Sequence, residues 1–200
     1  MVWWRHKEAV SMDISRDVHL RSDDGRFVLR PYETEDAESI YDAVYASRAE
    51  LAPWMDWCTP DYSIADTRAW LPKLPGAWER KEIFGFAILD ASDGTFLGGC
   101  GLNNIIWEYR IANLGYWVRS NRTGEGVATA AAVPVARFGL EKLGLCRIEI
   151  VAAVGNTASR RVAEKTGATF EGILRNRIKI GDRNLDAAMH SLIPGDFERS

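Results

Sequence analysis

Thr123-Gly124-Glu125-Gly126-Val127-Ala128 decides how the rest of this chain reads. Before it, Leu114-Gly115-Tyr116-Trp117-Val118 alternates like a strand; after it, Val127, Ala131, Val135 and Phe138 recur at spacings of four, four and three, one face of a helix. A strand, a glycine turn and a helix start make a phosphate cradle. Glycine removes the Cβ that keeps an anion off the backbone, and the helix start offers unpaired N–H groups at the positive end of its dipole. The expected guest is a pyrophosphate. Such a turn also serves capping or close packing, and the sequence downstream is what favours binding. The helix runs to about Leu143 and closes at Gly144; Leu145 to Val154 reads as a β-branched strand; a second helix starts at Asn156-Thr157-Ala158-Ser159 and ends on a left-handed cap at Gly167. Two helix starts therefore flank one strand end. Pro134 lies inside the first helix, where a missing hydrogen bond costs ~3 kcal/mol unless the helix bends, and predicts a kink.

Residues 1–24 are polar and unperiodic and read as an N-terminal arm, with a short strand at Val18 to Leu20 and two early tryptophans, Trp3 and Trp4, suited to docking; residues 25–195 read as one domain. Phe27 to Pro31 is a short strand. A helix follows Thr34, with Ile40, Val44 and Leu51 as its apolar stripe. Leu51-Ala52-Pro53-Trp54-Met55-Asp56-Trp57 breaks that helix and puts two large aromatics in a loop. A second helix from Ser63 or Asp66 to about Lys81 must kink or divide at Pro72 and Pro75. Phe84 to Leu89, a turn at Ser92-Asp93-Gly94 and Thr95 to Asn103 make a hairpin, and Ile111 to Val118 adds a strand beside it. Thr169 to Leu174, Arg177 to Ile180 and Leu185 to Ile193 are the final strands, with Gly181-Asp182 in a turn. The class is mixed α/β (α+β).

Two hundred residues with 46% apolar and 26% charged side chains suit one globular domain. A formal charge of −3 argues against a nucleic-acid-binding surface. Cys58, Cys100 and Cys146 are odd in number and lack zinc-ligand spacing, and His6, His19 and His190 do not cluster, so no metal site and no serine or cysteine triad is expected. No apolar run approaches a membrane span and residues 1–6 lack a signal-peptide core, so the expected location is cytoplasmic.

The two helix starts resemble the cofactor site of the GCN5-related N-acetyltransferases (GNAT). Asn156-Thr-Ala-Ser159 followed by Lys165-Thr166-Gly167-Ala168 is similar to that family's second motif. With Leu29-Arg30-Pro31, Pro53-Trp54-Met55-Asp56-Trp57, Leu114 to Val118 and Phe170-Glu171-Gly172, residues 26 to 193 resemble the RimJ/RimL branch, the protein N-terminal acetyltransferases. Thr123 stands where the family prefers Arg or Gln, with Arg122 one residue earlier, which puts affinity rather than cofactor identity in doubt.

The resemblance implies a GNAT fold, a mostly antiparallel central sheet splayed at the acetyl-CoA site and flanked by helices. It implies acetyl-CoA as co-substrate, its pyrophosphate over Thr123, Gly124, Glu125, Gly126, Val127, Ala128 and Thr129 with Arg122 beside them. Pantetheine would run past Trp117, Val118 and Arg119 and meet Asn156 and Ser159. The chemistry needs a neutral amine, an N–H for the developing oxyanion and a proton donor for the thiolate. The family's oxyanion amide maps to Trp117 or Val118, and Ser159 is the leading donor. Asn156 also suits an N-cap. Glu108, Glu149, Asp56 and Tyr116 are conceivable proton relays, each with a bland surface or core alternative. Trp54, Trp57 and Tyr116 are candidates for the acceptor site, with Trp117 beside them.

The expected acceptor is a protein N-terminal α-amine; a small amine such as a polyamine, an aminoglycoside or an amino-acid conjugate, or acyl-CoA binding without turnover, are the alternatives. Gly124-x-Gly126-x-x-Thr129 is part of a dinucleotide fingerprint, yet a Rossmann fold would place it after the opening strand of parallel βαβ repeats. A homodimer is compatible with the sequence, which offers no test of it.

Overall fold

The computed structural model describes residues 15–198, so Trp3, Trp4 and His6 lie outside the described residues. Alternating apolar stretches build one eight-stranded sheet in the order β1-β2-β3-β4-β5-β6-β8-β7. From β1 (Leu20–Arg21) through β2 (Phe27–Pro31), β3 (Phe84–Asp90) and β4 (Phe96–Ile106) to β5 (Ile111–Val118), each strand runs antiparallel to the one before it. β6 (Arg147–Ala153) lies parallel to β5; β8 (Arg183–Leu192) pairs antiparallel with β6, and β7 (Thr169–Ile180) closes the sheet antiparallel to β8.

The core forms two clusters, one on each face. On one face, Trp78, Phe84, Phe86 and Phe138 meet with ring centroids 4.8–6.2 Å apart. Truncating one of these rings to Ala costs roughly 3–5 kcal/mol. α5 (Val127–Arg137) lies on this face and buries the predicted stripe of Val127, Ala131, Val135 and Phe138. The helix passes through Pro134 without a break. The departure from α geometry comes just after it, where Phe138–Lys142 widen into a π turn closed by the Leu143 N–H on the Phe138 carbonyl at 3.2 Å. There Gly139 sits so close to the sheet that a Cβ would meet Leu102 and Ile148 at 2.8 and 2.9 Å.

On the other face α1 (Ala37–Ala46) buries Ile40 and Val44, and α2 (Arg48–Leu51) buries Leu51. The segment from Ser63 divides at its prolines as expected: α3 (Ile64–Trp70) begins at a reciprocal Ser63–Asp66 capping box, a 3₁₀ turn spans Leu71–Lys73, and α4 (Leu74–Glu79) comes next. α6 (Thr157–Lys165) and the short α7 (Pro194–Phe197) complete the fold.

The C-terminal strands differ from expectation. Thr169 to Leu174 and Arg177 to Ile180 form one strand, because two extra residues are absorbed as a bulge: Leu174 pairs with Ala187, and the next paired residue, Ile178, pairs with Leu185. Asn176 takes φ +51° there, and its N–H bonds the Asp186 carboxylate at 2.8 Å.

Candidate active site

β5 and β6 stay together for only three pairs, from Ile111 with Arg147 to Asn113 with Glu149, and then diverge. The fork exposes one edge of β5. In an antiparallel ladder alternate pairs exchange both hydrogen bonds, and the Arg119 N–H on the Leu97 carbonyl at 2.8 Å fixes the phase between β5 and β4. Trp117 thus spends its N–H on Gly99, whereas those of Leu114, Tyr116 and Val118 face the fork. Of the two amides expected for the oxyanion, that of Val118 is the one turned toward the fork, while that of Trp117 is turned toward β4.

At one end of the fork stands the glycine turn. Gly124 and Gly126 have φ +85° and +83°, a region that a Cβ disfavours. The first α-helical bond is Ala130 N–H to the Gly126 carbonyl, so the N–H groups of Gly124 through Thr129 have no acceptor among the described residues. Six consecutive free donors at a helix start form an anion cradle. Arg122 is not a free surface charge: it bonds Asp90 at 2.9 Å and Glu125 at 2.8 Å, and the first of these holds the Asp90 carboxyl at about 2. Arg26 ties the same turn from the far edge through the Glu125 carbonyl at 3.2 Å. In the first glycine motif of the GCN5-related resemblance, spaced R/Q-x-x-G-x-G/A, the leading residue falls at Asn121 rather than Thr123, whose hydroxyl instead donates to the Ser120 carbonyl at 2.8 Å.

Opposite stands the start of α6. Asn156 accepts the Ser159 N–H on its side-chain oxygen at 3.0 Å, the cap its sequence position suggests. Tyr116 reaches across the fork to this turn, its hydroxyl 2.9 Å from the Ser159 carbonyl and 3.1 Å from the Ser159 hydroxyl. The carbonyl can only accept the phenol proton, so the serine hydroxyl donates in the second bond. Burial pushes the Tyr116 pKa well above its usual value, so the phenol is neutral at any working pH.

From this point a cleft of about 920 Å³ continues under the Trp54–Tyr62 loop. Trp57 packs edge-on to Trp117 at 6.0 Å and beside Tyr62 at 5.8 Å, and Tyr32 meets Trp70 at 5.1 Å. The Tyr32 hydroxyl and the Trp117 indole nitrogen both crowd against Gly99, which makes room for them, since a Cβ there would lie 1.9 Å from the first and 2.8 Å from the second. Trp54 covers the Gly155 turn, and Arg183 clamps its loop through the Pro53 carbonyl at 2.8 Å.

A family model described as "Acetyltransferase (GNAT) domain" matches residues 26–169. The chain belongs to this GNAT acetyltransferase family. YdaF of Bacillus subtilis, named for ribosomal N-acetylation, is 30% identical over 85% of this chain and 92% of its own length. The structure of Mycobacterium smegmatis RimJ in complex with CoA-disulfide aligns at TM-score 0.79 and 26% identity, covering 92% of this chain and 89% of that one. A Vibrio cholerae structure named as a ribosomal-protein-serine acetyltransferase aligns at 0.78 and 25%, over 90% of this chain and all of the other. The GNAT chain is thus an N-acetyltransferase with acetyl-CoA as donor, similar to the RimJ/RimL branch.

The GNAT cleft brings together Trp54, Trp57, Tyr116, Trp117, Asn156 and Ser159. Of the relay candidates Asp56 and Tyr116 line it, whereas Glu108 lies exposed in the β4–β5 turn and Glu149 is held by Arg147 at 2.9 Å. Arg119 bonds the Phe96 carbonyl at 3.3 Å, on the β4 side. Sequence reading missed Tyr32, Asp61, Tyr62, Arg177 and Lys179, which also line the cleft. The one available signal was the break between Leu174 and Arg177, which marks the bulge. No described helix is long and apolar enough to cross a membrane.

Proposed function

We propose that this acetyltransferase acetylates the α-amine of a protein N-terminus by direct attack on acetyl-CoA in a ternary complex, in the cytoplasm. The observation that supports this reading is one continuous cleft, lined by Asn156 and Ser159 and by the aromatic side chains of Trp54, Trp57, Tyr62 and Trp117.

The pyrophosphate would lie over the free amides of Gly124 to Thr129, with Arg122 held near by Asp90 and Glu125. Pantetheine would take the unpaired edge of β5, and the Val118 N–H would receive the thioester oxygen as it gains charge. Asn156 fixes the first turn of α6, so that rotating a single hydroxyl turns the Ser159 proton from Tyr116 toward the leaving sulfur. A strong base is not required. An α-amine with pKa near ~8 is neutral in roughly a tenth or more of molecules at neutral pH, against about one in a thousand or fewer for lysine. A water chain ending at Asp56 suffices to carry its proton away.

The test is CoA release from acetyl-CoA with parallel acceptors: Ser- and Ala-started peptides, their N-terminally blocked forms, polyamines and aminoglycosides. Release with the free peptides alone is expected. Release only with small amines would overturn the N-terminal acceptor, and acetyl-CoA binding with silence throughout would overturn turnover.

A further inference from the structure

The charges lining the acceptor end of the cleft are Asp56, Asp61 and Asp66 on the α2–α3 side and Arg177 and Lys179 on β7. Asp66 is consumed by its capping box with Ser63 at 2.7–2.8 Å. The other four have no hydrogen bond or ion pair among the described residues, although elsewhere Arg30, Arg122 and Arg147 are each paired with two carboxylates. Two free acids face one groove with two free bases.

The bases are held there by construction. The β7–β8 hairpin runs beyond the end of β6, whose last residue, Ala153, pairs with Ala187, so the tip from Ile178 to Leu185 overhangs the fork. The bulge at Arg175-Asn176-Arg177 breaks the alternation of the strand, with a non-glycine residue in the left-handed region fixed by the Asp186 carboxylate. Bulges of this kind re-aim a side chain at the cost of local strain. Arg183 then ties the same hairpin to the loop carrying Trp54 and Trp57.

We propose that Arg177 and Lys179 are specificity residues, and that the preferred acceptor is a polypeptide with an amino terminus followed within a few residues by acidic side chains. The inference rests on the N-terminal reading given above. Asp56 and Asp61 draw in the cationic terminus, and the two bases select the side chains next to it in the acceptor. A polyamine would meet Arg177 and Lys179 as like charges, and an acceptor that is only an anion would meet the two aspartates. The surrounding Trp57, Tyr62 and Trp117 suit an extended backbone between those poles.

The test uses C-terminally amidated peptides of equal length beginning Ser-Ala and continuing with glutamate, glutamine or lysine, together with a glutamate-containing amino-acid conjugate. The wild type should favour the glutamate peptide over the glutamine one by about fivefold in kcat/KM, carried by KM, with the lysine peptide lowest. Arg177→Glu with Lys179→Glu should reverse that order while acetyl-CoA affinity, read by calorimetry, stays unchanged; the Gln double variant should flatten it. Equal use of the three peptides, or an unreversed order in a variant that still binds acetyl-CoA, overturns the proposal. A conjugate preferred over every peptide overturns the polypeptide class. Silence with every peptide overturns the N-terminal reading itself, a different result from equal rates.

Discussion

The two ends of the cleft are built in different ways. The donor end is almost entirely backbone: six free amides on a turn of consecutive residues, and a strand edge left open because β5 and β6 part after three pairs. The acceptor end is side chains, brought from Tyr32 just after β2, the α2–α3 loop, β5 and the β7–β8 hairpin, and clamped by single contacts such as Arg183 on Pro53. A backbone site needs only the right local turn, so it tolerates variation in the side chains along it. A site made of side chains from distant segments can be retuned one residue at a time, without altering how the donor is held.

The largest expected effect comes from Gly126→Asp. The residue has φ +83°, and the new carboxylate would stand among the amides that receive the pyrophosphate. Acetyl-CoA binding should weaken about 100-fold or more by calorimetry. The control is Gly144→Asp: φ is +66° and nothing lies within 4 Å, so it carries similar backbone strain at the opposite end of the helix. It should cost about 1 kcal/mol of stability and leave affinity intact. Equal loss in both would mean that Gly126 matters for folding alone.

The same division explains what could be read from sequence. Glycine spacing, the Asn156 cap and the strand ending at Val118 are local, and period and capping rules report them directly. The orientation of each amide along β5 is also local in principle, but it depends on ladder phase, which a single strand does not carry; Trp117 and Val118 are indistinguishable until Arg119 is seen on Leu97. Tyr32 lies 67 residues before Gly99 in sequence, yet a Cβ at Gly99 would touch its hydroxyl. No periodicity links such a pair. Arg177 fell at a visible interruption of β7, but only tertiary structure shows that the interruption is a bulge facing the cleft.

A smaller effect should arise where the two ends meet. Tyr116→Phe removes the hydroxyl that holds the Ser159 hydroxyl and carbonyl. We expect kcat to fall about tenfold with acetyl-CoA affinity nearly unchanged, at a stability cost of about 1 kcal/mol for the lost hydrogen bonds, since the Ser159 carbonyl lies within α6 and keeps its helix partner. Because the pair acts as one unit, Tyr116→Phe with Ser159→Ala should lose little more than the worse single variant. Losses that simply multiply would mean that the two residues act independently rather than as one unit.

The smallest predicted effect distinguishes the two flanks of the fork by pH. On the α6 flank His190 is fully buried on β8, with its ring 5.3 Å from Phe170; burial lowers its pKa, outweighing the opposing influence of Glu164, with Arg160 acting in the same direction as burial. On the α5 flank Asp90 is held at about 2 by Arg122 and Ser92. Both folded values lie below the unfolded ones, so each contribution is complete above the unfolded pKa and is lost as pH falls. For His190 the loss begins as pH drops through the unfolded value of 6.5, and for Asp90 through 3.8 toward about 2. Between about pH 7.5 and pH 5, Tm should therefore fall through His190 while the Arg122 pair holds. His190→Leu should flatten that fall and leave the drop below about pH 4 in place. Parallel melting curves for wild type and variant across the upper window would show that the histidine is not coupled to folding, and would remove this difference between the flanks.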